Sequence, residues 1–303
     1  MSFGNHCRIN KKIDRVFFSP DGVFHSITIK TLYKEETQKY LGDEIEVELV
    51  TGTKDLLQVK ETSLPHKLGF LIGNPSFGGK VDSTTGERNS LFNNVLNSIE
   101  RGDGIAPLPG TEKEVQQIQS LLKTNKWKET TLLNADAKEE TLKKMLKPSV
   151  LHIATHGFFQ SDVEGKLTYD YNPLYRSGIL LSGAAETLQK KSDLRANAQV
   201  EKEDGILTAF EALNLNIDNT DLVMLSACET GLGEIRNGEG VFGLQRAFKL
   251  AGARTILMSL WKVNDSTTHE LMVGFYENWF KGMSKPGYIS FCKFSNITLY
   301  AIF

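Results

Sequence analysis

Short, mainly apolar runs separated by amphipathic helices restrict this 303-residue chain to a few architectures. Val150 to Ala154 and Leu222 to Ala227 are two such runs. A strand covered on both faces reads this way; a strand with one wet face alternates apolar with polar. Around these runs, Val115, Ile118, Leu121 and Leu122 share one helical face, as do Leu142, Met145 and Leu146 before the breaker Pro148. Repeated alternation of helix and strand implies an α/β fold with a mostly parallel sheet covered on both faces. Residues 222–260 read as one βαβ unit with a right-handed crossover. Its helix is expected from near Gly238, through Val241, Leu244, Phe248 and Ala251, to a cap at Gly252.

The remaining elements are shorter. Residues 13–19 and 23–29 form an expected hairpin about Pro20-Asp21-Gly22. Residues 44–50 suit a half-exposed strand, and 68–73 a buried one stopped by Asn74-Pro75. Residues 76–109 read mostly as loop. Thr111 and Glu114 have the spacing of a capping box, and 205–213 suits a short helix. Residues 184–204 read as an exposed, mobile loop. Lys190, Lys191, Arg195 and Lys202 make that loop a candidate self-processing or regulatory segment. Asp265 or Ser266 is expected to cap a last amphipathic helix through Leu271, Phe275 and Trp279. The division expected is a β-rich N-terminal extension, 1–65, packed on a core of 66–303.

Composition removes several classes of function. A net charge of -2 gives no reason to expect a nucleic-acid or anionic-membrane partner. No apolar run approaches the ~20 residues that span a bilayer, and Met1 to Cys7 lacks the apolar centre of a secretory signal. Cys7, Cys228 and Cys292 are too scattered for a disulfide framework, so a reducing cytoplasm and reactive thiols are expected. Gly73 to Val81 fails as a phosphate loop, because Lys80 is displaced and Val81 stands where a hydroxyl is needed. Gly231 to Arg236 lacks the third glycine of a dinucleotide fingerprint. Cys-x-x-Cys and His-Glu-x-x-His are both missing from the sequence, and no metal or cofactor is expected.

Chemistry in parallel sheets gathers beyond the carboxyl ends of the strands. His156 ends one apolar run and Cys228 the other, the minimum pair for a cysteine nucleophile with a proton-transfer partner. The glycines after Cys228 suit close approach of a peptide backbone. A helix starting near Gly238 could lower the thiol pKa. Gly157 offers a backbone N–H for an oxyanion, with the N–H of Cys228 as its companion. Asp265 has two readings, a helix cap or the wall of a specificity pocket for Arg or Lys; Glu229 and Glu239 are weaker rivals. His152, inside its strand, and Ser226, without a Gly-x-Ser-x-Gly elbow, read as structural.

Together these segments resemble the CHAT domain, a family related to caspases and separases whose members often carry tetratricopeptide repeats. The resemblance rests on Pro20-Asp-Gly22, Leu108-Pro-Gly-Thr-Glu-Lys-Glu114, Leu151-His-Ile-Ala-Thr-His-Gly157 and Asp204 to Glu211. Leu225-Ser-Ala-Cys-Glu-Thr-Gly231, Gly238-Glu-Gly240, Ala251-Gly-Ala253 and Ser259-Leu-Trp-Lys-Val-Asn-Asp265 continue it. It implies a caspase-like fold, a His156–Cys228 dyad, protein substrates and a repeat-bearing or regulatory partner. The rival reading is an inactive, protease-like scaffold for protein–protein interaction. Two departures stand out. A helical-repeat array does not accompany the domain, and after Met283 the chain leaves the family's pattern of a further helix and last strand. A truncated or altered C-terminus lacking an edge element is the expectation.

Overall fold

The computed structural model describes residues 13–19, 29–50, 66–78, 104–159, 173–190, 203–227, 234–236, 240–259, 265–283 and 299–302. In chain order the strands are β1 (Arg15–Phe18), β2 (Tyr33–Lys34), β3 (Lys39–Tyr40), β4 (Glu46–Leu49), β5 (Leu68–Pro75), β6 (Lys128–Asn134), β7 (Val150–Ala154), β8 (Gly157–Phe159), β9 (Ser177–Leu180), β10 (Ile206–Thr208), β11 (Leu222–Ser226), β12 (Glu234–Arg236), β13 (Gly240–Phe242), β14 (Ile256–Ser259) and β15 (Leu299–Ile302). The α-helices are α1 (Leu41–Glu44), α2 (Pro109–Thr124), α3 (Glu139–Lys143), α4 (Ala184–Lys190), α5 (Ala209–Ala212), α6 (Leu244–Leu250) and α7 (Asp265–Phe280).

Eight strands form the central sheet in the order β1-β4-β15-β14-β11-β7-β5-β6. The pairings β14–β11, β11–β7, β7–β5 and β5–β6 are all parallel. Side chains alternate across the pleat, so each central strand feeds two cores. Leu71, Val150, Ala154, Leu222, Met224 and Leu257 join Val115, Ile118 and Leu122 of α2 and Met272 and Phe275 of α7. Their strand neighbours Ile72, Leu151, Ile153, Val223, Leu225 and Ile256 join Leu142 of α3, Ala212 of α5 and Phe248 of α6. Helices therefore cover both faces, as the apolar runs imply. Glycines on β5 set how closely α2 lies. A Cβ on Gly73 would sit 2.7 Å from Val115 Cγ2 and 2.9 Å from the Thr111 carbonyl oxygen, and one on Gly69 would sit 2.7 Å from Leu122 Cδ1.

Several local expectations change. α2 begins at Pro109, two residues before Thr111, because proline at the first turn has its φ already set for a helix. Thr111 Oγ1 instead donates to the Leu108 carbonyl at 2.6 Å, and Glu114 turns towards the sheet. The helix expected from near Gly238 starts at Leu244; residues 234–236 and 240–242 form a two-stranded ribbon in which Ile235 is paired with Val241. β-Branched residues suit that pairing better than a helix. Residues 206–208 are a strand, and the helix starts only where Thr208 caps it with Glu211 in a capping box. The first part of the expected 184–204 loop is α4, whose Ala184, Ala185 and Leu188 are buried with Phe77, Ile105 and Phe158; residues 191–202 lie outside the described residues. The return strand of the expected hairpin falls largely outside them too, and β1 pairs in parallel with β4. β15 lies inside the sheet between β14 and β4, antiparallel to β14 and paired with β4 at Ile302–Leu49.

α3 anchors the chain where it re-enters the core at Gly205. Glu139, 1% exposed, accepts from Gly205 N at 2.9 Å and pairs with Lys143 at 2.6 Å, and Lys143 also reaches Glu211 at 2.9 Å. Burial raises the Glu139 carboxyl, Lys143 opposes this, and the negative Glu211 and Asp204 add to it, leaving it at about 7. A carboxyl raised on folding stabilises fully below its unfolded value, and that contribution is lost as pH rises through 7. In urea titrations, the parent should therefore lose about 2–3 kcal/mol more stability than Glu139→Gln between pH 4.5 and pH 8. Equal losses would contradict this.

Candidate functional site

Three adjacent parallel strands end together at one lip of the sheet. Gly73 of β5 stands beside Ala154 of β7, and Ala154 beside Ser226 of β11. Asn74 follows Gly73, Thr155 and His156 follow Ala154, and Ala227 and Cys228 follow Ser226. Cys228, Glu229 and Glu239 lie outside the described residues. Asp265 is the first residue of α7, the helix after β14.

His156 is 2% exposed, and its ring is held on several sides. Nε2 donates to the Ala106 carbonyl oxygen at 2.8 Å. A carbonyl can only accept, so Nε2 carries the proton, and the lone pair of the neutral ring is on Nδ1. The Phe77 ring lies 5.2 Å away, centroid to centroid. The His156 carbonyl accepts from Leu180 N at 2.9 Å, and Thr155 Oγ1 donates to the Leu180 carbonyl at 2.5 Å. Because His156 and Leu180 form a hydrogen-bonded pair, the next antiparallel pair, Gly157–Ile179, is of the non-hydrogen-bonded kind. The Gly157 N–H accordingly points away from β9, towards the side on which β8 pairs with no strand among the described residues.

Asn74 holds the segment that presents the Ala106 carbonyl. Its Oδ1 accepts from Leu108 N at 3.3 Å, its Nδ2 donates to Glu112 Oε2 at 3.0 Å and to Asn134 Oδ1 at 3.1 Å, and its own N–H donates to Thr111 Oγ1 at 2.8 Å. Its φ of 44° is one that asparagine tolerates better than most residues. Sequence alone marks Asn74-Pro75 as a breaker; an amide at the end of a buried strand is the signal for this further role.

Beneath the lip lies a polar group that the sequence does not reveal. Glu114, His152, Ser226 and Tyr276 are each fully buried. Ser226 Oγ donates to Glu114 Oε2 at 3.0 Å, and His152 Nε2 lies 3.0 Å from Glu114 Oε1. The Tyr276 hydroxyl is 3.3 Å from His152 Nδ1. Burial, and then the Glu114 charge, hold the Tyr276 phenol well above its ordinary range. It stays protonated, with its hydroxyl against Nδ1, while Nε2 of the same ring lies beside the carboxylate. Among the described residues, no group of three or more His, Cys, Asp or Glu side chains is arranged to hold a metal ion. No helix among them is long and apolar enough to cross a membrane.

The CHAT domain profile matches residues 7–286. The chain belongs to the CHAT domain family. This CHAT chain is also similar to tetratricopeptide repeat protein 28 of Mus musculus, 23% identical over 189 residues, and to that of Homo sapiens, 24% identical over 184 residues. Each match covers 58% of this chain and spans 7% of the relative's length. Among solved structures, the Arg specific cysteine proteinase gingipain R aligns with a TM-score of 0.50 at 10% identity, covering 95% of this CHAT chain and 62% of its own. That likeness is one of fold, and it agrees with the caspase-like, mostly parallel sheet.

If Ala106 holds the His156 ring, nitrogen-resolved NMR at neutral pH should show His156 as the Nε2–H tautomer. Asn74→Ala should shift its signals towards an averaged, mobile ring. An Nδ1–H tautomer in the parent would overturn this arrangement.

Proposed function

We propose that this CHAT domain is a cysteine endopeptidase acting on protein substrates through His156 and Cys228. The observation that carries the reading is the fixed His156 ring, with its basic nitrogen at Nδ1, at the lip of the strand paired to the one that leads to Cys228. Counting two residues on in the sequence from the Ala154–Ser226 pair reaches His156 in one segment and Cys228 in the other.

In the reaction, His156 Nδ1 takes the thiol proton and Cys228 Sγ attacks the scissile carbonyl carbon. The N–H groups of Gly157 and Cys228 receive the oxyanion; losing one such donor raises the barrier by about 3–4 kcal/mol. The C–N bond breaks, the imidazolium gives its proton to the departing amine, and a thioester remains. Water then attacks with its proton passing to His156, and the carboxylate product leaves as the thiol is restored. The Ala106 carbonyl steadies the imidazolium by accepting from Nε2 throughout. Asp265, with Glu229 and Glu239 as alternatives, favours Arg or Lys at the cleavage position. The repeat-bearing relatives support a tetratricopeptide-repeat or other regulatory partner.

Incubation with a peptide library, read by mass spectrometry, tests the reading. Cys228→Ala should abolish cleavage and His156→Ala should lower it at least about a thousandfold, both with unchanged thermal unfolding. Cleavage by Cys228→Ala at the parental rate would refute the dyad. A folded parent that cleaves nothing would assign the chain to the non-catalytic, partner-binding scaffold. In the same library, cuts should cluster after Arg and Lys, and Asp265→Asn should weaken that preference about tenfold. A preference indifferent to Asp265 would remove its role.

A further inference from the structure

Glu114 is a buried carboxylate that the proposed reaction does not use. It sits in a cluster otherwise built from Leu71, Val115, Ala154, Met224 and other apolar side chains. A carboxylate there adds little stability over an apolar residue of similar volume; what it adds is direction. Glu114 belongs to α2, His152 to β7, Ser226 to β11 and Tyr276 to α7. One side chain thus ties four elements at the level where the strands end. Ser226 Oγ donates to one carboxylate oxygen, His152 Nε2 lies 3.0 Å from the other, and the Tyr276 hydroxyl lies 3.3 Å from His152 Nδ1.

Ser226 is the last residue of β11, and Cys228 is the next residue of the same parity. The bond to Glu114 anchors the last residue of β11, two residues before Cys228 in the sequence. Ala227, 1% exposed, is held in the core beside it.

We infer that Glu114 and Ser226 are positioning residues for Cys228, with His152 and Tyr276 fixing the carboxylate that orients Ser226. The inference rests on the peptidase reading and extends it to residues that touch no substrate. It assigns Ser226 a hydroxyl-dependent role and sets His152 below the lip, against Glu114 and Tyr276 and apart from the proposed proton transfer.

The test is the second-order rate of Cys228 alkylation by iodoacetamide in the full chain at neutral pH, followed on the Cys228 peptide by mass spectrometry so that Cys7 and Cys292 do not interfere. Ser226→Ala should slow alkylation about tenfold or more, the loss of one hydrogen bond to a buried charge, with the thermal midpoint within a few degrees of the parent. Ser226→Thr, which keeps the hydroxyl, should restore most of the rate. Glu114→Gln should slow it as well, because the charge that holds the Ser226 hydroxyl is then gone. With a cleaved peptide, the loss should fall on kcat and leave KM unchanged. A fast parental thiol, equally fast in folded Ser226→Ala, would overturn this inference and leave the dyad standing. Equal slowing in Ser226→Ala and Ser226→Thr would reduce Ser226 to a packing residue and overturn it too. A parental thiol no faster than glutathione, and indifferent to His156→Ala, would overturn the peptidase reading and this inference with it.

Discussion

The parallel pairing of β7 with β11 is the constraint on which the rest of the molecule depends. It runs in register from Val150–Leu222 to Ala154–Ser226, and it brings the His156 segment beside the segment leading to Cys228. A pair of strands buried on both faces needs apolar cover on each side. α2 and α7 supply one layer, and α3, α5 and α6 the other. The glycines of β5 let α2 come near enough for Glu114 to reach β7 and β11. Close helix packing and the polar group under the lip are thus two consequences of the same approach.

Two buried carboxylates illustrate how position decides chemistry. Glu139 sits among Lys143, Glu211 and Asp204 near the molecule's edge, where burial and like charge push it to about 7. Glu114 sits under the sheet's end, accepting from the Ser226 hydroxyl with the His152 ring beside it. The first ties down the point where the chain re-enters the core at Gly205. The second shares its donors with the strands that lead to the candidate site. Above it, Asn74 organises the 104–111 segment and with it the carbonyl that holds the His156 ring. Polar side chains at this lip work in series, each orienting the next through backbone or ring.

The central strands were legible because every residue of β7 and β11 is buried and the apolar runs say so directly. The amphipathic stripe of α2 was legible for the same reason. Helix starts were less so. Thr111 and Glu114 match a capping box, yet Pro109 sets the start, and Glu114 is drawn to a serine 112 positions away. No local pattern carries that distance. Val241 fits a helical spacing, but its cross-strand partner Ile235 wins it for a ribbon. His152 and Ser226 are correctly placed inside their strands; their shared partner is invisible until α2 is laid across the sheet. Of the candidate site, His156 and Gly157 stood out through the turn after an apolar run, whereas Asn74 and the Ala106 carbonyl became apparent only in three dimensions.

The central claim concerns one separation, that between Cys228 Sγ and Nδ1 of His156. A crystal structure of the full chain should place them within about 4 Å, directly in contact or ready to close on substrate. Side chains turned to opposite faces of the lip, too far apart for even one bridging water, would contradict the account.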